Sequence, residues 1–64
     1  MAHYGSEVRD LLQKNGCHLH RQGKGSHEIW CNPALNKYFT VPTKIMSRHT
    51  ANEILKQAGL QKAF

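Results

Sequence analysis

The spacing of the apolar residues changes after Gly16, and that change limits the folds available to the chain. Before Gly16 the apolar positions lie three and four residues apart, the spacing of one helix face. These positions are Val8, Leu11 and Leu12. Ser6 can cap such a helix and Gly16 can end it, so we expect a helix over about residues 7–15. From Cys17 onward the pattern has a period of two, which is typical of a strand.

The turn Gly23-Lys24-Gly25 separates this strand from a second run, Ser26 to Asn32, and together they predict a β-hairpin. If the hairpin is symmetric about its turn, Arg21 faces His27 on a side that is otherwise apolar. The remaining pairs on that side are Cys17 with Cys31 and Leu19 with Ile29.

The same register places Trp30 and Glu28 on the opposite, polar side of the hairpin, facing His18 and His20. An exposed tryptophan there could stack on a nucleobase. Contact with a protein partner is the more common role for such a residue, and we expect it here.

The second half of the chain predicts one more strand and one more helix. Tyr38 to Val41 is rich in β-branched and aromatic residues, and Pro42 ends the ladder. Thr50 to Glu53 has the spacing of a capping box, and Gly59 closes the helix that follows.

The resulting order is α-β-β-β-α. A chain of 64 residues supports one modest core, because a unit of this size buries only about 60% of its unfolded surface. We therefore predict an α+β fold in a single domain, residues 1–64. Its three-stranded antiparallel sheet has both helices on one face, since only one apolar face is available to them.

The formal charge of +5 favours a polyanionic partner, with nucleic acid as the first candidate. No apolar run approaches the roughly 20 residues of a membrane span. The first residues also lack the basic-then-apolar pattern of a signal peptide. We expect a cytoplasmic protein that has no membrane partner.

Cys17 and Cys31 are too few and too far apart for the paired ligand spacing of a zinc site, so free thiols are expected. His18 and His20 lie near Cys17 in sequence but do not complete a four-ligand set. We predict no metal and no cofactor.

Several motifs occur in a recognisable order along the chain. They are Gly16 after the first helix, Arg21 in the first strand, Gly25-Ser26-His27 opening the second, Val41-Pro42 ending the third, and Ile54 to Leu60. In this order the chain resembles the HicA family over nearly its whole length. Among its departures, Cys17 stands where an aromatic residue is usual, and Thr43-Lys44 replaces a His-Pro pair.

The resemblance implies a fold like that of double-stranded-RNA-binding domains. It also implies a toxin of a type II toxin–antitoxin system that cleaves mRNA and is neutralised by a HicB-like antitoxin. His27 of the Gly-Ser-His motif becomes the catalytic histidine, and Gly25 and Ser26 shape the turn that presents it.

RNA carries its own nucleophile, the 2′-hydroxyl, so cleavage needs only a base, an acid and positive charge on the phosphate. His27 suits the role of base or acid, because histidine exchanges protons near neutral pH. Arg21 and Lys24 are candidates for neutralising the phosphate. Without the family motif, His27 is more simply a surface histidine at a turn.

Two other functions stay open on the sequence alone. The same fold can bind double-stranded RNA by shape and phosphate contacts without cleaving it. Alternatively, the domain could act only as one half of a protein complex, since a partner would add buried area to its small core.

Overall fold

The structure is a computed structural model, and it describes residues 3–64. Residues 1 and 2 of the predicted 1–64 domain lie outside the described residues. The elements follow the order α-β-β-β-α: α1 (Gly5–Lys14), β1 (His18–Gln22), β2 (His27–Asn32), β3 (Lys37–Pro42) and α2 (Arg48–Gln57). A single 3₁₀ turn, Pro33–Leu35, joins β2 to β3. Of the described helices, none has the length and apolar character needed to cross a membrane.

Both helices end where the sequence predicts, at glycines with positive φ. Gly16 has φ +85° and Gly59 has φ +84°. After α1 the Cys17 N–H donates to the Leu12 carbonyl at 2.9 Å, and after α2 the Leu60 N–H donates to the Leu55 carbonyl at 2.8 Å. Each of these bonds joins an N–H to the carbonyl five residues earlier, which is the defining hydrogen bond of the Schellman motif. It satisfies a carbonyl that has no partner within the helix.

The predicted helix starts were wrong in both cases. The residue preceding α1 is Tyr4 rather than Ser6. Its N–H donates to the Ile45 carbonyl at 2.8 Å, and the His3 ring accepts from the Gly5 N–H at 3.1 Å. A long-range contact and a histidine ring therefore replace the expected serine cap.

The N-cap of helix α2 lies three residues before the first residue of the predicted capping box. Ser47 is its N-cap, and its hydroxyl accepts from the Thr50 N–H at 3.1 Å. Serine and threonine are both capping residues, and serine is the better of the two. The earlier cap prevails because it adds a turn of helical hydrogen bonds without losing the cap.

The three strands form an antiparallel sheet in the order β1-β2-β3, as expected. The predicted hairpin register was wrong. Residues paired in the sheet are His18 with Cys31, Leu19 with Trp30, and Arg21 with Ile29, with an irregularity between Leu19 and Arg21. A bulge at His20 thus inserts one residue into β1.

The changed register reverses the faces of β2. Trp30 is 3% exposed and lies in the core, so it is not the exposed interface residue that the symmetric hairpin predicted. It pairs with the buried Phe39 of β3, and Glu28 pairs with the buried Val41. Because paired residues point to one side of a sheet, this is the face that the helices cover.

The core is one cluster to which both helices and the sheet contribute. Its members include Val8 and Leu12 of α1, Trp30, Phe39 and Val41 of the sheet, Ile45 of the connection, and Ala51, Ile54 and Leu55 of α2. Two helices therefore cover one face of the sheet, and the α+β prediction is confirmed. The closer likeness to double-stranded-RNA-binding domains stays a prediction.

Asn32 is a polar residue buried at the end of β2, where it is 3% exposed. Its side-chain N–H donates to the Ala58 carbonyl at 2.8 Å. That carbonyl follows the last turn of α2 and has no acceptor role inside the helix. The bond therefore joins the sheet to the end of α2.

We expect Asn32→Ala to lower the free energy of unfolding by about 1–3 kcal/mol, because the buried Ala58 carbonyl loses its donor. Asn15→Ala is the matched control: its side chain donates to the Leu11 carbonyl at 2.7 Å but is exposed. Its effect should stay within about 0.5 kcal/mol. Urea unfolding of both variants tests this, and equal losses would contradict it.

Candidate functional site

The sheet face turned away from the helices, here called the open face, carries two of the predicted site residues, Arg21 and His27, while Lys24, Gly25 and Ser26 lie in the adjoining β1–β2 turn. Cross-strand pairing and the bulge place on it His18, His20, Arg21, His27, Ile29, Cys31, Tyr38 and Thr40. His27 and Arg21 lie towards the β1–β2 turn, while His18 and Tyr38 lie at the other end, on either side of Cys31.

The β1–β2 turn fixes the backbone of His27. The His27 N–H donates to the Lys24 carbonyl at 3.2 Å, and the His27 carbonyl accepts from the Gly23 N–H at 2.9 Å. Gly25 has φ +59°, which a side-chain-bearing residue adopts only under strain. The glycine of the Gly-Ser-His motif is thus required by the geometry of the turn.

The imidazole of His27, by contrast, is free. The residue is exposed, and within residues 3–64 its ring forms no hydrogen bond to another protein group. An exposed histidine that is held by its backbone and whose ring is not bonded to the protein can exchange protons with a bound substrate.

Ser26 is held by a contact that the sequence did not indicate. Its carbonyl accepts from both the N–H and the hydroxyl of Thr43, at 2.7 and 2.6 Å. The start of the β3–α2 connection therefore lies beside the Gly-Ser-His motif. Lys44 follows directly and is exposed.

A partly buried polar network supports the motif from the helix side. One oxygen of Glu28 accepts from the Arg9 Nε–H at 3.2 Å and from the Trp30 indole N–H at 2.9 Å. Arg9 also donates to the Pro42 carbonyl at 3.1 Å. Glu28 follows His27 in β2, and Pro42 is the cross-strand partner of His27. The network therefore fixes both strands at the position of the histidine.

Arg21 and Lys24 lie at the same end of the sheet as His27, but the expected Arg21–His27 cross-strand pair is absent. Arg21 pairs with Ile29, two residues further along β2. Such diagonal neighbours on one face lie roughly 7–8 Å apart, and their Cβ atoms are somewhat closer. Both basic side chains are exposed, with Lys24 at the tip of the turn.

The two cysteines are free and buried, and Cys31 pairs with His18 rather than with Cys17. Burial away from water raises the pKa of the Cys17 thiol, and the nearby Cys31 thiol raises it further. Within residues 3–64, no three His, Cys, Asp or Glu side chains converge to hold a metal ion.

Two clefts of the described chain lie away from His27. Their volumes are about 430 and 520 Å³, and both adjoin the segment that follows α2. Their linings contain no histidine or cysteine. We therefore assign the candidate site by the chemistry of the turn rather than by the size of a cavity.

The structure thus presents an exposed histidine in a Gly-Ser-His turn on an α-β-β-β-α fold. A comparison of the sequence with protein families identifies a match. Residues 5–60 match the family model described as HicA toxin of bacterial toxin-antitoxin. The chain belongs to the HicA toxin family. No curated protein and no solved structure matches it significantly. Family membership makes this HicA-family chain a toxin with a cognate antitoxin.

The raised pKa of Cys17 gives this HicA-family chain a pH-dependent stability. Above the ordinary thiol pKa of 9.0 the unfolded thiol ionises while the folded one keeps its proton, so rising pH favours unfolding. We expect the free energy of unfolding to fall between about pH 9 and 10 by more in the wild type than in Cys17→Val. Guanidinium titrations across that range measure the difference, and parallel losses in the two proteins would contradict it.

Proposed function

We propose that this HicA-family toxin is an endoribonuclease that cleaves mRNA in the cytoplasm without a metal ion, and so inhibits translation and growth. The observation that carries the proposal is the free, exposed imidazole of His27 on a backbone fixed by the turn. Gly25 and Ser26 hold that turn, and Arg21 and Lys24 supply positive charge at the same end of the sheet.

The proposed reaction uses the RNA's own 2′-hydroxyl as nucleophile. His27, acting as base, takes the proton of the 2′-hydroxyl while its oxygen forms a bond to the adjacent phosphorus. The bond from phosphorus to the 5′-oxygen breaks, and that oxygen leaves with a proton from an acid. The products are a 2′,3′-cyclic phosphate and a free 5′-hydroxyl.

Charge supports the same assignment. Negative charge grows on the phosphate oxygens as the new bond forms, and nearby cations lower the energy of that state. Arg21 can bind a phosphate through two N–H groups, whereas Lys24 acts as a point charge. A HicB-like antitoxin would neutralise the toxin by covering His27 and these cations.

We expect His27→Ala to slow cleavage of a structured mRNA in EDTA by at least about 100-fold, the usual contribution of a general acid or base. His49→Ala, which removes another exposed histidine, should cleave like the wild type. Circular dichroism should show unchanged folding in both variants.

The other results of this experiment are equally informative. Full cleavage by His27→Ala would overturn the assignment of His27, and loss of cleavage in EDTA by the wild type would overturn a metal-free reaction. Salt-sensitive RNA binding without cleavage by any of the proteins would instead indicate a non-catalytic double-stranded-RNA-binding module.

We expect Arg21→Gln and Lys24→Gln each to weaken RNA binding and to reduce the slope of log affinity against log salt by about 1, because each removes one phosphate contact. Lys56→Gln, an exposed lysine in the last turn of α2, is the charge-matched control and should change neither. Fluorescence anisotropy at several salt concentrations provides the measurement. A slope unchanged by either substitution would exclude that residue from phosphate binding.

A further inference from the structure

The acidic residues of the chain are separated from the open face. The chain has four, namely Glu7, Asp10, Glu28 and Glu53. Glu7 and Asp10 lie on α1, Glu53 lies on α2, and Glu28 points towards the helices, where it binds Arg9. The open face therefore carries no carboxylate, while it does carry Arg21 and three of the histidines. A surface with this charge pattern favours an anionic partner, such as a polyanion, over a neutral or basic one.

The end of the open face farthest from the β1–β2 turn forms a cleft of about 270 Å³ that the proposed reaction does not use. Among the residues lining it are His18, His20, Cys31, Lys37 and Tyr38. Its volume lies just below the roughly 300 Å³ at which small-molecule sites begin. It is therefore suited to a single planar ring system rather than to a larger ligand.

The walls of the cleft are aromatic and held in place. The rings of His20 and Tyr38 meet edge to face, with their centroids 4.9 Å apart. The Cys31 sulfur lies 3.3 Å from the His18 Nε2 and anchors the second imidazole. Tyr38 nevertheless remains 60% exposed. An aromatic ring that is fixed by a neighbour but open to solvent can receive a stacked base at little entropic cost.

We propose that this cleft binds one unpaired nucleobase of the RNA strand that His27 cleaves, by stacking on the Tyr38 ring that His20 holds in place, with Lys37 beside the adjoining phosphate. The inference rests on the proposed ribonuclease function and specifies its substrate as single-stranded RNA. A base inside a duplex could not reach the ring, because its faces are already stacked.

The sheet sets the distance between this cleft and the histidine. Tyr38 pairs with Cys31, which lies four residues from His27 along β2, and a strand rises about 3.3 Å per residue. The separation is therefore about 13 Å, the axial length of about four stacked nucleotides. An RNA shorter than this distance can bind at His27 but does not extend to the cleft.

The test uses the His27→Ala protein, so that RNA is bound but not cleaved. Tyr38→Ala in that background should weaken binding of a labelled single-stranded oligoribonucleotide by about 5- to 150-fold, the usual effect of losing one stacked base. His20→Ala should also weaken binding of this oligoribonucleotide. Tyr38→Phe, which keeps the ring, and Leu19→Ala, which removes another exposed apolar side chain, should bind within about twofold of the background.

Two further measurements separate stacking from a general loss of affinity. Binding of a duplex RNA of equal length should not change on Tyr38→Ala. Cleavage of a dinucleotide by the otherwise wild-type protein should not change either, because that substrate cannot span the distance. If Tyr38→Ala loses both duplex RNA binding and dinucleotide cleavage, that variant is misfolded. The affinity of His20→Ala for single-stranded RNA then tests the subsite.

The outcomes distinguish this inference from the function on which it rests. If none of the proteins binds RNA, the ribonuclease proposal fails together with the subsite. If wild-type RNA cleavage is confirmed but single-stranded RNA binds Tyr38→Ala as tightly as the background, only the subsite is overturned. If Tyr38→Ala weakens binding of the antitoxin and not of RNA, the cleft is a protein interface and the inference is wrong.

Discussion

The placement of His27 depends on one carboxylate oxygen behind the sheet. Glu28 accepts from the guanidinium of Arg9 and from the indole of Trp30, and Arg9 also binds the Pro42 carbonyl. Charge-assisted bonds of this kind are stronger than neutral ones, and partial burial reduces the competition from water. Helix α1 and the two strands that carry His27 and its partner are thereby joined at one point. The exposed β1–β2 turn is therefore attached to a strand that this network holds in place.

The two helices illustrate which features a sequence can predict. Their ends were predicted at Gly16 and Gly59, because a left-handed residue after a helix is a local requirement that glycine meets best. Their starts were not. Helix α1 begins where Tyr4 meets Ile45, a contact between distant parts of the chain. For α2, two capping residues compete three positions apart, and both the added helical bonds and the stronger capping preference of serine favour the earlier one.

The candidate site was predicted only in part, because some of its residues are adjacent in the sequence and others are brought together by the fold. The Gly-Ser-His motif is contiguous, so His27, Gly25 and Ser26 could be selected from the sequence and its resemblance to a family. Thr43 and Arg9 reach the motif only through the fold, and no local pattern indicates them. The hairpin register was the part that sequence reasoning missed. On the turn side of the bulge Arg21 pairs with Ile29, so the turn is centred on Gly25 rather than Lys24 and the Arg21–His27 pair is lost. The bulge at His20 then turns Leu19 to the helix side beside Trp30, because an inserted residue moves the rest of the strand to the other face.

The bulge in β1 also affects how the molecule meets copies of itself. Strand β1 lies at the edge of the sheet, and the outer edge of a regular strand offers an unbroken row of N–H and C=O groups to any other extended chain. The extra residue at His20 breaks that row and increases the local twist. A second β1 cannot align with it over more than a few residues. The irregularity at His20, whose ring packs against Tyr38 in the cleft, therefore also disfavours edge-to-edge aggregation of a small, basic protein.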